Sequence, residues 1–376
     1  MKLRVLLAGV CLAAIGCPPP SSSTDPAPDP AGATPDEPQW RPVAPDPAPE
    51  GDPTSDQRPP PGTAFPLERP YPQPEVCSPG QVPPHAGRDP LAFWLGASGT
   101  GPGQFQYPRA LTTDPEGNLF VVDKAGRLQK FDPEGNLLAH VHTPAYALGK
   151  PTGLSWTPQG KLLAADTHYA RILVYDGDLQ LERAWGVPGW DPGQFLFVTF
   201  AFETQDGELY TTDYGDEVAR VQVWTADGTY LRSWGTFGEG AQGFRRPSSV
   251  WVHPRLDEVY VADAANHRVA VFTRQGEHLR DIGRPGRGPG ELGYPYEAVL
   301  DDEDRLWVAE FGNHRISVFT REGEFLASYG RAGRALGDLN RPWGMALGPE
   351  DRLWILDSGN DRVYATTWHL LLDGHR

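Results

Sequence analysis

The chain has 376 residues, among them 43 Gly and 40 Pro, with 39% hydrophobic residues and a formal net charge of −16. This composition excludes a collagen-like chain and a chain that is disordered throughout, and the acidic balance excludes nucleic acid as the expected partner. The three Cys stand at positions 11, 17 and 77, so no disulfide framework is expected after residue 90.

The first 16 residues have the pattern of an export signal. Lys2 and Arg4 stand at the start of the chain, and the apolar run over 5–16 is too short to span a membrane. The run ends in AIGC, with Cys17 as its last residue, which resembles the bacterial lipobox. The resemblance implies a diacylglyceryl lipid on Cys17 after cleavage, hence a lipoprotein of the cell envelope, and Pro18 favours the outer membrane. The alternative is an ordinary cleaved signal with an incidental Cys.

The next segment is rich in proline. Residues 17–90 hold 24 of the 40 Pro, together with scattered acidic residues. Because Pro removes amide donors and like charges repel one another, an extended, disordered tether is expected here, with Cys77 as a lone thiol. The chain is therefore expected to divide into a signal peptide at 1–16, a lipidated Cys with its tether at 17–90, and a folded domain at 91–376.

A repeat runs through the folded domain. Six short strands each end in an acidic residue, at intervals of 43, 47, 50, 47 and 47 residues: Asp123, Asp166, Asp213, Asp263, Glu310 and Asp357. Each acid is followed by an Arg and a third strand, then by a polar turn and a fourth strand. Four strands per unit and six units predict an all-β fold, a six-bladed β-propeller with four-stranded antiparallel blades. Because the acid and the Arg recur in every unit, a structural pairing is predicted for them.

Two units contain a more specific motif. Asn266-His267-Arg268 and Asn313-His314-Arg315 resemble the motif that names the NHL repeat, and the resemblance covers nearly all of 91–376. The segment Ala92-Phe93-Trp94-Leu95-Gly96 reads as a fourth strand without a blade before it, so we expect it to complete the sixth blade.

The candidate ligand site lies at the mouth of the central channel, where the innermost strands begin. One residue per blade is expected there: Arg109, Thr152, Thr199, Ser248, Tyr296 and Trp343, followed by Ala110, Gly153, Phe200, Ser249, Glu297 and Gly344. Because these positions vary between blades, the fold does not dictate them. The predicted ligand-binding residues are Arg109, Ser248, Tyr296, Glu297 and Trp343, with His267 and His314 as secondary candidates in loops. The alternative is that these side chains only fill the channel.

The pattern favours binding over catalysis. Arginine, acid and aromatic groups together suit a protein, peptide or glycan ligand. NHL-type propellers also include metal-assisted lyases, and a lactonase-like relative would hold a divalent cation, but none of the twelve channel positions is His and only Glu297 is a carboxylate there. We therefore predict an envelope-anchored binding, scaffold or sensor module with no cofactor, no metal and no catalytic residue. The alternative is a metal-assisted lyase or lactonase of the peptidyl-hydroxyglycine lyase or gluconolactonase type.

Overall fold

The fold was analysed in a computed structural model, which describes residues 67, 69–77, 92–145, 147–215 and 217–373. Six antiparallel sheets form the blades: the first has five strands, the other five have four each, and the sixth takes one of its strands from the start of the domain. The predicted six-bladed β-propeller is confirmed. The signal peptide, Cys17 and most of the expected tether lie outside the described residues.

The blades share one pattern of strands. The first, innermost strands are Pro108–Thr113, Gly153–Trp156, Phe197–Glu203, Pro247–Val252, Pro295–Leu300 and Met345–Leu347. The second strands are Leu119–Asp123, Leu162–Asp166, Glu208–Tyr214, Val259–Asp263, Leu306–Glu310 and Arg352–Asp357. The third strands are Arg127–Phe131, Arg171–Tyr175, Ala219–Thr225, Arg268–Phe272, Arg315–Phe319 and Arg362–Thr367.

The outermost strands and the short elements complete the fold. The fourth strands of blades one to five are Leu137–His142, Leu181–Trp185, Tyr230–Trp234, His278–Ile282 and Phe325–Tyr329. Two short strands, Thr236–Phe237 and Gly243–Phe244, pair in parallel between blades three and four. Three 3-10 turns, Thr167–Tyr169, Ala264–Asn266 and Ser358–Asn360, follow second strands, and a short helix covers Trp368–Asp373.

The sixth blade takes its outermost strand from the start of the domain. Phe93–Leu95 pairs antiparallel with the last strand, Arg362–Thr367, so that Phe93 lies opposite Ala365. Leu95 is fully buried. The first and last parts of the propeller are thereby held in one sheet, which removes a free edge.

The prediction of a disordered tether as far as residue 90 is wrong at residues 75 and 76. Glu75–Val76 forms a fifth strand on blade one and pairs with the fourth strand, with Glu75 opposite His140 and Val76 opposite Ala139. The backbone N–H of Cys77 then donates to the carbonyl of Leu138 at 2.8 Å. The open edge of blade one offers unpaired backbone groups, and these override the weak strand propensity of a proline-rich sequence.

The core lies between neighbouring blades. Second and third strands are buried along nearly their whole length, because a blade packs on each face. One hydrophobic cluster, for example, combines Phe120 and Val122 of blade one with Leu162 and Leu173 of blade two. Outer strands alternate between buried and exposed residues, as in His278–Ile282. The large interior surface follows from blade stacking, as expected for a repeat protein.

Glycine-rich loops lead into five of the six blades. In each, a short parallel bridge folds the loop onto a buried Phe or Leu: Phe105, Phe195, Phe244, Leu292 and Leu339. Gly235 shows why glycine is needed, since its φ is +99° and a Cβ there would lie 2.5 Å from the Phe244 ring. No such bridge is found among the described residues that enter blade two.

Candidate functional site

The repeated acid and arginine are structural. Asp263 accepts hydrogen bonds from the Arg245 amide at 2.7 Å and from Arg268 Nε at 3.1 Å. Arg268 then donates to the carbonyls of Gly240 and Gly243 in the glycine-rich loop, at 2.8 and 2.6 Å. The same acid–arginine pair forms in every blade, as Asp123–Arg127, Asp166–Arg171, Asp213–Arg220, Asp263–Arg268, Glu310–Arg315 and Asp357–Arg362. The predicted structural pairing is confirmed, and in blades one and three to six the arginine also donates to carbonyls of the loop before the blade.

The two motif histidines hold the strand that begins the next blade. Nδ1 of His267 accepts the amide N–H of Tyr294 at 3.1 Å, and Nδ1 of His314 accepts that of Arg341 at 3.1 Å. Both residues have a left-handed backbone, with φ of 56° and 57°. Burial lowers the pKa of each, and Arg341 adds to the effect at His314. The neutral ring of each histidine therefore accepts a hydrogen bond from the backbone. Both residues, which the sequence suggested as secondary ligand candidates, thus have a structural role.

These histidines predict a pH dependence. The pKa of each histidine in the folded protein lies below its ordinary value of 6.5, so folding favours the neutral ring. The neutral rings therefore stabilise the fold fully above about pH 6.5, and this stabilisation is lost as the pH falls through the lowered pKa values. In the variant His267→Asn/His314→Asn, an amide oxygen keeps the acceptor and Asn tolerates the left-handed backbone. We expect this variant to lose less unfolding free energy than the wild type between about pH 7 and about pH 5 in denaturant titrations. If the variant and the wild type lost the same unfolding free energy, the neutral histidines would not have this structural role. The control is His142→Asn, which changes an exposed histidine.

Two of the predicted ligand residues link neighbouring blades. Oγ of Ser248 donates to the Tyr296 carbonyl at 2.8 Å, and Oε2 of Glu297 accepts the Met345 amide at 2.9 Å. Thr199 makes a similar link to the Pro247 carbonyl at 2.8 Å. Burial raises the pKa of Glu297 to about 8. Hydroxyl and carboxyl groups on the innermost strands are therefore used first to join the ring.

Two other predicted residues, Tyr296 and Trp343, come together as expected for adjacent blades, but they are buried. Their exposed fractions are 4% and 8%. Their ring centroids are 4.5 Å apart, and Phe311 packs on both at 4.8 and 5.6 Å. These aromatic rings pack on one another and form a platform inside the mouth.

Three guanidinium groups lie on this platform. Arg109 is 4.8 Å from the Trp343 ring centroid, Arg246 is 5.2 Å from that of Tyr296, and Arg341 is 5.6 Å from that of Phe311. Stacking on aromatic rings holds such groups in place while their edges can still donate hydrogen bonds. We call these six side chains, Arg109, Arg246, Tyr296, Phe311, Arg341 and Trp343, the mouth cluster.

Sequence reasoning found half of the mouth cluster and missed Arg246, Phe311 and Arg341. Arg246 and Arg341 immediately precede the repeated Pro, as do Tyr107 and Tyr294, and all four have a positive φ between 47° and 63°. Such a backbone is strained for residues with side chains. The residue before the repeated Pro could therefore have been taken as a further candidate for the ligand site in each blade.

More positive charge lies beside Arg109. Burial lowers the pKa of Lys150, and the nearby charges of Lys124 and Arg109 lower it further. Lys124 itself is exposed. Cations from several blades thus converge at one end of an acidic protein, and this arrangement suits a ligand with carboxylate, phosphate or sulfate groups.

In the parts of the chain that the structure describes, no three His, Cys, Asp or Glu side chains come together in a way that could hold a metal ion. No helix within those parts is long and apolar enough to cross a membrane.

The fold defines the chain as a six-bladed β-propeller, and a family described as a 6-bladed beta-propeller matches residues 244–329. NHL-repeat-containing protein 4 from Homo sapiens is 32% identical over 92 residues, which cover 24% of this chain and 71% of that protein. The chain belongs to the NHL repeat-containing proteins. It also matches NHL repeat-containing protein 3 from Homo sapiens, at 31% identity over 90 residues, but the match covers 23% of this chain and 26% of that protein.

Solved structures share the fold at low sequence identity. A streptogramin B lyase has a TM-score of 0.53 at 12% identity, covering 74% of this chain and 99% of that one. An auxiliary nutrient binding protein from Bacteroides thetaiotaomicron has a TM-score of 0.55 at 14% identity, covering 73% and 76%. Identities this low establish the architecture alone, because one fold hosts many functions.

Proposed function

We propose that this protein is an exported, lipid-anchored propeller that binds an envelope ligand, a protein, peptide or glycan, through an acidic group held at the mouth cluster. The observation that carries the proposal is the stacking of Arg109, Arg246 and Arg341 on the platform of Tyr296, Phe311 and Trp343. A structural neighbour described as a nutrient binding protein shows that this architecture is used for binding elsewhere.

The repeated residues support this choice by contrast. The acid–arginine pairs and the motif histidines have intramolecular contacts that the propeller needs in several blades. The mouth cluster has no such repetition, since the residues equivalent to Arg109 are Thr152, Thr199 and Ser248 in the next three blades. Side chains that a repeat does not require are the better candidates for a ligand.

The proposal is tested by capture from an envelope extract on the immobilised protein. We expect Arg109→Ala/Arg341→Ala to lose the captured ligand, because each removes a charge-assisted donor from the mouth cluster. The matched control is Arg284→Ala/Arg331→Ala, which removes the same charge from two exposed side chains, 76% and 84% accessible, in glycine-rich loops. Equal recovery with both double variants would contradict the site, and unchanged thermal midpoints would show that folding is not the cause.

The anchor is a second part of the proposal and rests on the sequence. With Cys17→Ala, we expect the protein to be exported but to fractionate as soluble or uncleaved material, because the thioether would be the attachment to lipid. Cys77→Ala, which leaves the lipobox intact, is the control. Mature Cys17→Ala protein that still sediments with membranes would overturn lipid anchoring.

A further inference from the structure

The channel has a second opening, away from the mouth cluster. A cavity of about 1250 Å³ extends along the innermost strands to the loops that join first and second strands, where Asp302 and Glu350 are exposed. Glu297 and Met345 line its inner end, whereas Arg109, Tyr296 and Trp343 do not line it. We call this space the lower channel. It is separate from the proposed ligand site and does not depend on the proposed function.

The charge of the lower channel is negative. Its lining contains Asp114, Asp206, Asp301, Asp302, Glu350 and Asp351, against a single arginine, Arg274. Arg274 is paired with Asp206 at 2.7 Å, His369 with Asp351 at 3.2 Å and Arg305 with Asp301 at 2.7 Å. Within the described residues, Asp114, Asp302 and Glu350 have no ion pair. A narrow cleft lined by one sign of charge concentrates the field and attracts the opposite charge.

Among the residues that line the lower channel, Glu203 gives the strongest indication of a ligand. The residue is 8% exposed, it lines the cavity, and no hydrogen bond or ion pair to its carboxyl group is found in the described residues. Burial raises its pKa, with a smaller opposing effect from Arg183. The carboxyl oxygens are not among the buried polar atoms that lack a hydrogen-bond partner, so they open onto the cavity, where a cation can reach them.

The fold does not require an acid at this position. Glu203 lies opposite Leu209, the second residue of its neighbouring strand. In the same register the other blades have Thr113, Trp156, Val252, Leu300 and Leu347. One carboxyl group therefore replaces a mostly apolar ring of residues, which makes a ligand its better explanation.

Aromatic rings complete the wall. The centroids of Phe202 and Trp251 are 4.6 Å apart, and both residues line the lower channel together with Trp156. Nε1 of Trp251 is buried without a hydrogen-bond partner among the described residues. Aromatic faces beside carboxylates bind organic cations, whose apolar part contacts the ring. Among the described residues, no three His, Cys, Asp or Glu side chains lie close enough together to hold a metal ion. This favours an extended organic cation over a metal ion as the ligand.

We propose that the lower channel binds an organic ammonium ion on an apolar or aromatic body, with the Glu203 carboxylate as its counter-ion. Phe202 and Trp251 contact the apolar part, and the acidic residues at the entrance attract the charge. Glu297 closes the inner end of the site.

The test uses the full chain with two probes of similar shape, 2-phenylethylammonium and the neutral 2-phenylethanol. By calorimetry at neutral pH, we expect the wild type to bind the ammonium ion about tenfold more tightly than the alcohol. Glu203→Gln is expected to lose most of this difference and to leave alcohol binding unchanged. The matched control is Glu277→Gln, an exposed acid in the turn between the third and fourth strands of blade four that does not line the cavity.

Three results would overturn the proposal. They are equal binding of the two probes by the wild type, equal ammonium binding by wild type and Glu203→Gln, and no ammonium binding at concentrations up to about 10 mM. The comparison of the two probes on the wild type needs no variant, so the test stands even if Glu203→Gln folds poorly.

Discussion

Deletion of residues 92–97 is expected to lower the free energy of unfolding by about 5 kcal/mol or more. The deletion removes the strand Phe93–Leu95, in which Phe93 and Leu95 are buried. The Phe93 ring also packs edge to face on Trp354, with centroids 5.9 Å apart. Loss of this strand exposes the backbone edge of Arg362–Thr367 and opens the ring. Denaturant titration of the full chain measures the effect.

The control is a deletion of the same length in the proline-rich segment, residues 26–31. We expect the free energy of unfolding to stay within about 0.5 kcal/mol of the wild-type value, because the sequence predicts an extended tether for this segment. If both deletions gave the same loss, the ring would not depend on the strand Phe93–Leu95.

Arg268→Ala is expected to cost about 3–5 kcal/mol of unfolding free energy. The change leaves the buried Asp263 carboxylate without its cation and frees the carbonyls of Gly240 and Gly243, to which Arg268 donates. It also removes the bond from Arg268 to Asp281 at 2.8 Å. Because the loop and the blade are joined through this side chain, thermal and chemical unfolding are both expected to shift.

Blade two provides the matched comparison. Arg171 pairs with Asp166 at 2.8 Å and its guanidinium group lies 4.6 Å from the Tyr169 ring centroid, but its two terminal amino groups have no hydrogen-bond partner within the described residues. We therefore expect Arg171→Ala to cost less than Arg268→Ala, by about 1–2 kcal/mol. Equal costs would show that the carbonyl contacts of Arg268 contribute little. Arg284→Ala, at an exposed side chain, should stay near the wild-type value.

The blade pattern could be predicted because the repeat carries it. Each second strand ends in an acid and each third strand begins near an Arg, so the turns and strand order follow from one unit. Even the irregular blade is visible, since Asp166 follows Asp123 after 43 residues and the later intervals are 47 to 50. Burial raises the pKa of Asp166 to about 7 and those of Asp213 and Asp263 to about 6, and the paired arginine opposes the effect in each case.

The strand Glu75–Val76 could not be predicted in this way. Its neighbours Pro72, Pro74 and Pro79 indicate an unpaired segment. Pairing with the fourth strand of blade one depends on an edge that exists only after the blade has formed. Tertiary context therefore decides the conformation of this segment.

The candidate site was predictable in position but not in detail. The varying residues after the repeated Pro pointed to Arg109, Tyr296 and Trp343. Tyr296 and Trp343 are buried and pack on Phe311, which follows the second strand of blade five, and the sequence does not show that contact. The partners of His267 and Ser248 are likewise residues far along the chain.

The measurement that tests the central claim most directly is hydrogen exchange of the protein with and without the captured envelope ligand. The mouth cluster predicts slower exchange in three segments that begin innermost strands, residues 106–110, 293–297 and 341–345, and unchanged exchange in the outer strands. Protection confined to the outer strands, or to the loops between first and second strands, would contradict a ligand site at the mouth cluster.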